Sequence, residues 1–300
     1  MTPPFCSSAG ADRGNHAPII NERFKIMFST ERSSIHTAEI TDTELMANAP
    51  SIFAQQAMPG VSSRYTFLPT SRIVEAMRNE GWKPIEARQS HPRTAGRVGY
   101  QLHQVRFQRR DQVAEVDEFA PEVILLNSHD RSSGYELRAG MFRFICRNGL
   151  LVADSLIPAI HVRHTGQELG RIIEASSTIL GQLPRIAARV ASFRSTALSD
   201  AEAQQFAAQA LALRYTDPAL APIRSEQLLA PRRYEDAGSD LWAVTNKVGE
   251  NLLRGGMRDT SRVNRSGKPF RPMRQIRGLG ANVDINLGIW ALAESFRSTN

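Results

Sequence analysis

Apolar positions along this chain change their period partway, and the change predicts the order of its elements. Ser71 reads as the N-cap of a short helix carrying Ile73, Val74 and Met77, which Gly81 ends. Val98, Tyr100 and Leu102 alternate with polar residues, and Val105 and Phe107 continue in the opposite phase. That pattern predicts a strand with a bulge near His103. Val123 to Leu126 is a continuous apolar run, as a buried central strand requires. A Ser-Ser-Gly turn at 132–134 leads into a strand over Tyr135 to Arg138. Met141 to Cys146 fits strand or helix, and Asn148-Gly149 fits a hairpin turn or a helix C-cap. Leu150 to Val152 resumes as a strand.

Beyond Leu169 the apolar residues return every three to four positions. Leu169, Ile172, Ile173, Ile179, Leu180, Leu183, Ile186, Val190 and Phe193 predict a long helix bent at Pro184. Ser199 to Glu202 is a capping box opening a helix with Phe206, Ala210 and Leu213. Asp240 caps a helix with Leu241, Val244, Val248 and Leu252, stopped by Gly255-Gly256. Asn286 reads as the cap of a last helix bearing Leu287 and Trp290. The expected class is α+β: an antiparallel or mixed sheet in the first half and helices in the second. Residues 1–60, rich in Ser, Thr, Ala, Pro and Asn, are expected to be a flexible arm. Residues 61–300 are expected to form one α+β domain with a basic loop at 254–280.

Charge changes this picture. The net charge is +7, and residues 254–277 hold eight bases against Asp259 alone. These bases are Arg254, Arg258, Arg262, Arg265, Lys268, Arg271, Arg274 and Arg277. The local excess equals the whole net charge, so the rest of the chain is neutral. A concentrated basic patch implies an anionic partner more strongly than diffuse charge does. Gly255, Gly256, Gly267, Pro269 and Pro272 prevent a continuous helix there. An extended chain with a base at about every third position tracks a phosphate backbone, and Phe270, Trp242 and Trp290 supply aromatic platforms.

Other candidates carry less. Cys6 and Cys146 are far apart, so neither a disulfide framework nor a cysteine zinc site can be built. The N-terminus lacks a signal peptide's apolar core, and no stretch reaches the ~18 apolar residues of a membrane helix. The expectation is a cytoplasmic protein without a membrane partner. His129 and Asp130 are a candidate base and orienter, and Ser128 a candidate nucleophile, but no GxSxG elbow surrounds it. The competing reading is a loop bonding its own backbone. His161 and His164, three apart on a strand-like run, point to opposite faces, so no metal is expected. Cys146 reads as a core residue. Trp242, Asn246, Gly249, Glu250 and Arg254 form one stripe of their helix, opposite its apolar stripe; such a stripe is usually just a solvated face, and its Trp and Asn make it a candidate functional surface. Neither a Walker A motif nor a GxGxxG after a strand occurs, and no cofactor is expected.

With those residues in view, the chain resembles the phage- and plasmid-like proteins grouped as domain of unknown function 932. The likeness rests on Asn-Ser-His-Asp at 127–130, on the run from Leu137 to Leu150 with its Cys-x-Asn-Gly core, and on Val162-Arg-His164. It extends through Pro231-Arg-Arg233, Asp240-Leu-Trp242, Asn246, Glu250, Arg254-Gly-Gly and Asn286 to Trp290, covering roughly residues 60–298. Arg131 stands where glycine is expected, and Gly249 precedes Glu250 where glutamine is usual. The resemblance implies a gene of prophages, plasmids or integrative elements. It implies no reaction, so no catalytic residue is carried over. The layout also looks broadly like phage single-strand annealing proteins, a likeness of arrangement that does not fix function.

The sequence therefore leads to a nucleic-acid-binding protein of a mobile element, with single-stranded DNA foremost and no catalytic residue assigned. The strip holds phosphates, Trp242, Phe270 and Trp290 stack, and Asn246 lies beside them. Asn127, His129, Asp130, Arg143 and Asn148 form a structural polar network. The rivals are a nucleic-acid-processing enzyme with a His/Asp site and a protein-binding inhibitor of host defence. A homo-oligomer is compatible with all three.

Overall fold

The computed structural model describes residues 38–61, 65–92, 94–109, 119–143, 148–152, 156–164 and 166–299. At Arg143 and Asn148 the description covers the backbone alone. The architecture is α+β. Strands β1 (Lys83–Gln89), β2 (His103–Gln108), β3 (Phe119–Asn127), β4 (Tyr135–Arg143) and β5 (Asn148–Leu151) lie side by side in chain order. Strand β6 (Ile160–Val162) pairs with β4 as well, and every ladder is antiparallel. β5 covers Gly140 to Arg143 and β6 covers Tyr135 to Leu137. The two thus share one edge of β4.

Alternation places the two sheet faces. Val105, Phe107, Val123, Leu125, Tyr135, Leu137, Ala139 and Met141 enter the main core. There they meet helices α2 (Thr70–Asn79) and α3 (Glu168–Gly181). Ile124, Leu126 and Leu151 face the other way, onto Val283 and Leu287 of α7 (Leu279–Thr299). Helices α4 (Leu183–Ser195), α5 (Asp200–Ala212) and α6 (Leu241–Arg254) pack with one another and with α7. Trp290 and Phe193 pack ring to ring at 5.4 Å, and both are fully buried.

Several elements start elsewhere than the pattern predicts. Residues 38–53 are part of the core unit, which corrects the arm extending to residue 60. Thr41 and Glu44 form a capping box on α1 (Asp42–Asn48), and Leu45, Ala49 and Ile52 are fully buried. Residues 1–37 lie outside the described residues. Helix α2 starts at Thr70 with Pro69 as its N-cap, not Ser71, because the Thr70 side chain turns inward to bond histidines. The strand at 98–102 is absent. Gly99 adopts φ +88, which breaks extended chain, and β2 begins at His103. The irregularity is in β1, between Pro84 and Glu86. Asn148-Gly149 is neither turn nor cap, since both residues pair with β4. The long helix is two helices, broken at Gln182, with Pro184 at the start of the second. Asn286 caps nothing. Helix α7 starts at Leu279, and buried Asn286 donates to the Asn282 carbonyl at 2.8 Å.

Candidate functional site: a clamped basic hairpin and a buried histidine chain

The basic stretch folds back on itself. Gly256 N–H donates to the Met273 carbonyl at 2.7 Å and Met273 N–H to the Met257 carbonyl at 2.8 Å. Val263 bridges Pro269, and Asn264 N–H donates to the Lys268 carbonyl at 2.8 Å, closing the tip. Gly255 makes this geometry possible: φ is +63, and a Cβ there would fall on the carbonyl of Met273. Met273, 2% exposed, anchors the returning arm in the core.

Side chains of α6 and its flanks hold the hairpin. Arg232 donates to Asn251 Oδ1 at 2.6 Å and to the Gly255 carbonyl at 2.7 Å. Arg233 forks onto Glu250 at 2.8 and 2.5 Å and also meets Asp236 at 2.8 Å. Arg254 reaches the same Glu250 at 3.1 Å. Arg214 donates to the carbonyls of Leu252 and Arg274. Asn251 Nδ2 donates to the carbonyls of Leu228 and Ala230 at 2.8 and 2.9 Å. Eleven of the fourteen residues of α6 are buried, so its polar stripe is not a solvated face. Its polar groups point inward, where bonding to arginine offsets their burial. Trp242 is 4% exposed and Trp290 0%, which removes both as stacking platforms; Asn246 is buried and donates to the Trp242 carbonyl at 2.7 Å.

The strip's cations then divide. Arg254 is committed to Glu250, Arg262 donates to the Pro218 carbonyl at 2.8 Å, and Arg265 meets Asp217 at 3.3 Å. Arg258, Lys268, Arg271, Arg274 and Arg277 are exposed and make no ion pair among the described residues. Phe270 is half-buried. Tyr234, 92% exposed, was not singled out in the sequence; the Pro-Arg-Arg-Tyr run at 231–234 was its signal. It lies two residues from Arg232, which bonds the hairpin at Gly255.

The Asn127–Asp130 segment builds a second, buried arrangement. Pairing of β2 with β3 sets His103 opposite Asn127. Thr70 Oγ1 lies 2.8 Å from His103 Nε2, 3.3 Å from His129 Nε2 and 3.0 Å from Asn127 Nδ2. The Gln101 carbonyl, 2.9 Å from His103 Nδ1, can only accept, and this fixes the direction of the chain. His103 donates from Nδ1 and accepts at Nε2 from Thr70. Thr70 accepts from Asn127 and from His129 Nε2, and His129 Nδ1 faces the Tyr65 hydroxyl at 3.5 Å. Burial pushes His103 down to about 4, against the pull of the Gln101 bond and Asp130. Burial, then the neighbouring His103 and His164, push His129 down to about 3. His164 is also lowered by burial; it lies between Tyr65 and Tyr135, ring centroids 4.3 and 4.4 Å away. His103 and His129 are 1% and 0% exposed, so neither offers a ring nitrogen to an outside substrate. Among the described residues no three His, Cys, Asp or Glu side chains can hold a metal ion.

Asp130, 6% exposed, sits at the edge of this core beside the more exposed Arg97. Burial raises its carboxyl, but bonds from the Ser132 hydroxyl and N–H, then from Ser128, and Arg97 at 3.4 Å bring it below the usual range. The next residue, Arg131, adopts φ +70, which explains why glycine suits that position. Arg143 and Asn148 are not brought to the network. They pair with each other, and Arg143 pairs with Phe119 at the far end of β3 from Asn127. Eight residues of strand separate the two ends, roughly 26 Å. Cys146 lies outside the described residues.

The chain matches the model of the family described as "Domain of unknown function (DUF932)" over residues 57–278. It is 32% identical over 256 residues to the UPF0380 protein YafZ of Escherichia coli strain K12, covering 85% of this chain and 91% of that protein. The same identity and coverage relate it to the UPF0380 protein YfjQ of that organism. No solved structure matches it. The chain belongs to the DUF932 family. No helix among the described residues is long and apolar enough to cross a membrane.

Proposed function

We propose that this chain binds nucleic acid through the basic hairpin, with single-stranded DNA as its preferred form, in the service of a mobile element. The observation that carries the reading is the division of labour among its arginines. Arg214 and Arg232 are spent on the hairpin carbonyls of Arg274 and Gly255, and Arg233 and Arg254 on buried Glu250, while Arg258, Lys268, Arg271, Arg274 and Arg277 stay exposed and free of acids among the described residues. Free cations on an ordered support are what phosphate contacts use, since each released counterion adds to affinity. Half-buried Phe270 within the strip and exposed Tyr234, next in the chain to Arg233, offer ring faces, which favours unstacked bases over duplex. The mobile-element setting rests on the family resemblance alone.

The test is a titration of labelled single- and double-stranded oligonucleotides at two salt concentrations. Tighter binding of the single strand, weakening steeply with salt and indifferent to sequence along the hairpin, supports the reading. Affinity that ignores salt, or none at all, defeats it.

A further inference from the structure

The hairpin ends at Arg277, and Arg277 lines a cleft of about 510 Å³ between the sheet-end loops and the start of α7. Its size falls within the ~300–1,000 Å³ of small-molecule sites. Pro92, Leu102, Leu279 and Ala281 are its apolar lining. On the sheet side stand Asp130 and Ser132, with Arg97 beside them. We propose that this cleft binds one nucleotide carrying an amino-bearing base, either as a residue of the bound strand or as a free mononucleotide.

Each part of a nucleotide finds its complement. Arg277 offers a guanidinium to the phosphate, and Leu279, Gly280 and Ala281 bring the first turn of a 21-residue helix to the same wall. The apolar lining suits a base. Asp130 is an acceptor for an exocyclic amine: Oδ1 takes the Ser132 bonds, whereas Oδ2 is met by Arg97 at 3.4 Å, longer than a full hydrogen bond. A carboxylate has about four acceptor positions, so capacity remains. Cytosine N4 or adenine N6 satisfies that carboxylate, whereas a thymine carbonyl would face it acceptor to acceptor.

The proposal rests on the nucleic-acid reading above for its strand-borne form, and the test separates the two. Calorimetric titration with deoxycytidine and deoxythymidine monophosphates is run on the native chain, on Ala281→Phe, which fills the mouth from an exposed helix position, and on Asp130→Asn. The native chain is expected to prefer the cytidine nucleotide by about tenfold or more. Ala281→Phe should lose both ligands, and Asp130→Asn should lose the preference while keeping binding. In parallel, labelled oligocytidine and oligothymidine are titrated against native chain and Ala281→Phe. Weakening of oligocytidine alone in the variant places a strand nucleotide in the cleft. Mononucleotide binding without strand binding upholds the cleft as a free-nucleotide site and overturns the hairpin reading. Strand binding unchanged in Ala281→Phe, with no mononucleotide taken up, overturns the cleft and leaves the hairpin standing.

Discussion

Thr70 Oγ1 and His103 Nε2, 33 positions apart in the chain, meet at 2.8 Å inside the protein and fasten the start of α2 to the first residue of β2. The hydroxyl donates here and accepts from Asn127 and His129, so its single proton and both lone pairs are used.

Thr70→Val keeps the shape and removes the hydroxyl. His103, His129 and Asn127 then lose a buried partner together, and stability should fall by at least about 1–3 kcal/mol. Thr70→Ser retains the hydroxyl and should recover most of the loss. Urea denaturation of the three proteins measures this; equal midpoints would show that the chain contributes nothing.

The same histidines set a pH dependence. In the unfolded chain they titrate near 6.5, whereas in the fold His103 titrates at about 4 and His129 at about 3. Between those values the unfolded chain holds protons that the folded chain refuses. Stability is therefore full above about pH 6.5 and falls as the pH drops toward 4 and then 3, with a slope of about 1.4 kcal/mol per unit for each histidine. Denaturation midpoints at pH 7.5, 6 and 5 should decline in that order. In His103→Gln the decline should be shallower, and an identical slope would contradict the assignment.

Replacing Arg258, Lys268, Arg271 and Arg274 by alanine removes four exposed cations that make no ion pair among the described residues. The melting temperature should hold. At about 0.7 per contact, the log–log salt slope for a single strand should shrink by about 3. A folded variant with unchanged slope and affinity would remove the hairpin from the interface.

Gly255→Ala tests the clamp instead of the charge. The new Cβ meets the Met273 carbonyl at a left-handed φ, at an expected cost of about 1–3 kcal/mol. The returning arm should detach first, since the new Cβ strikes the Met273 and Arg274 carbonyls through which Gly256 and Arg214 hold it. Limited trypsin digestion reads this directly: cleavage after Arg258 to Arg274 should accelerate well before the rest of the chain is cut. Unchanged cleavage would mean the hairpin does not need this glycine.

Local chemistry was legible in the sequence. Capping boxes, the shift from alternation to helical spacing and the concentration of charge in 254–277 each depend on residues a few positions apart, so they identified α5, α6, the α+β class and the basic stretch. Tertiary contacts decided the rest. The stripe with Trp242 and Glu250 reads as solvated because spacing cannot reveal that Arg232 and Arg233 arrive to satisfy it. The Thr70, His103 and Asn127 cluster required strand register and helix placement across 57 residues. Strand register likewise drew Asn148-Gly149 into a ladder and carried Arg143 away from Asn127. A sequence fixes which side chains carry charge and how each segment is shaped; only packing, where every buried polar group must find a partner, decides which of those charges remain free to meet a ligand.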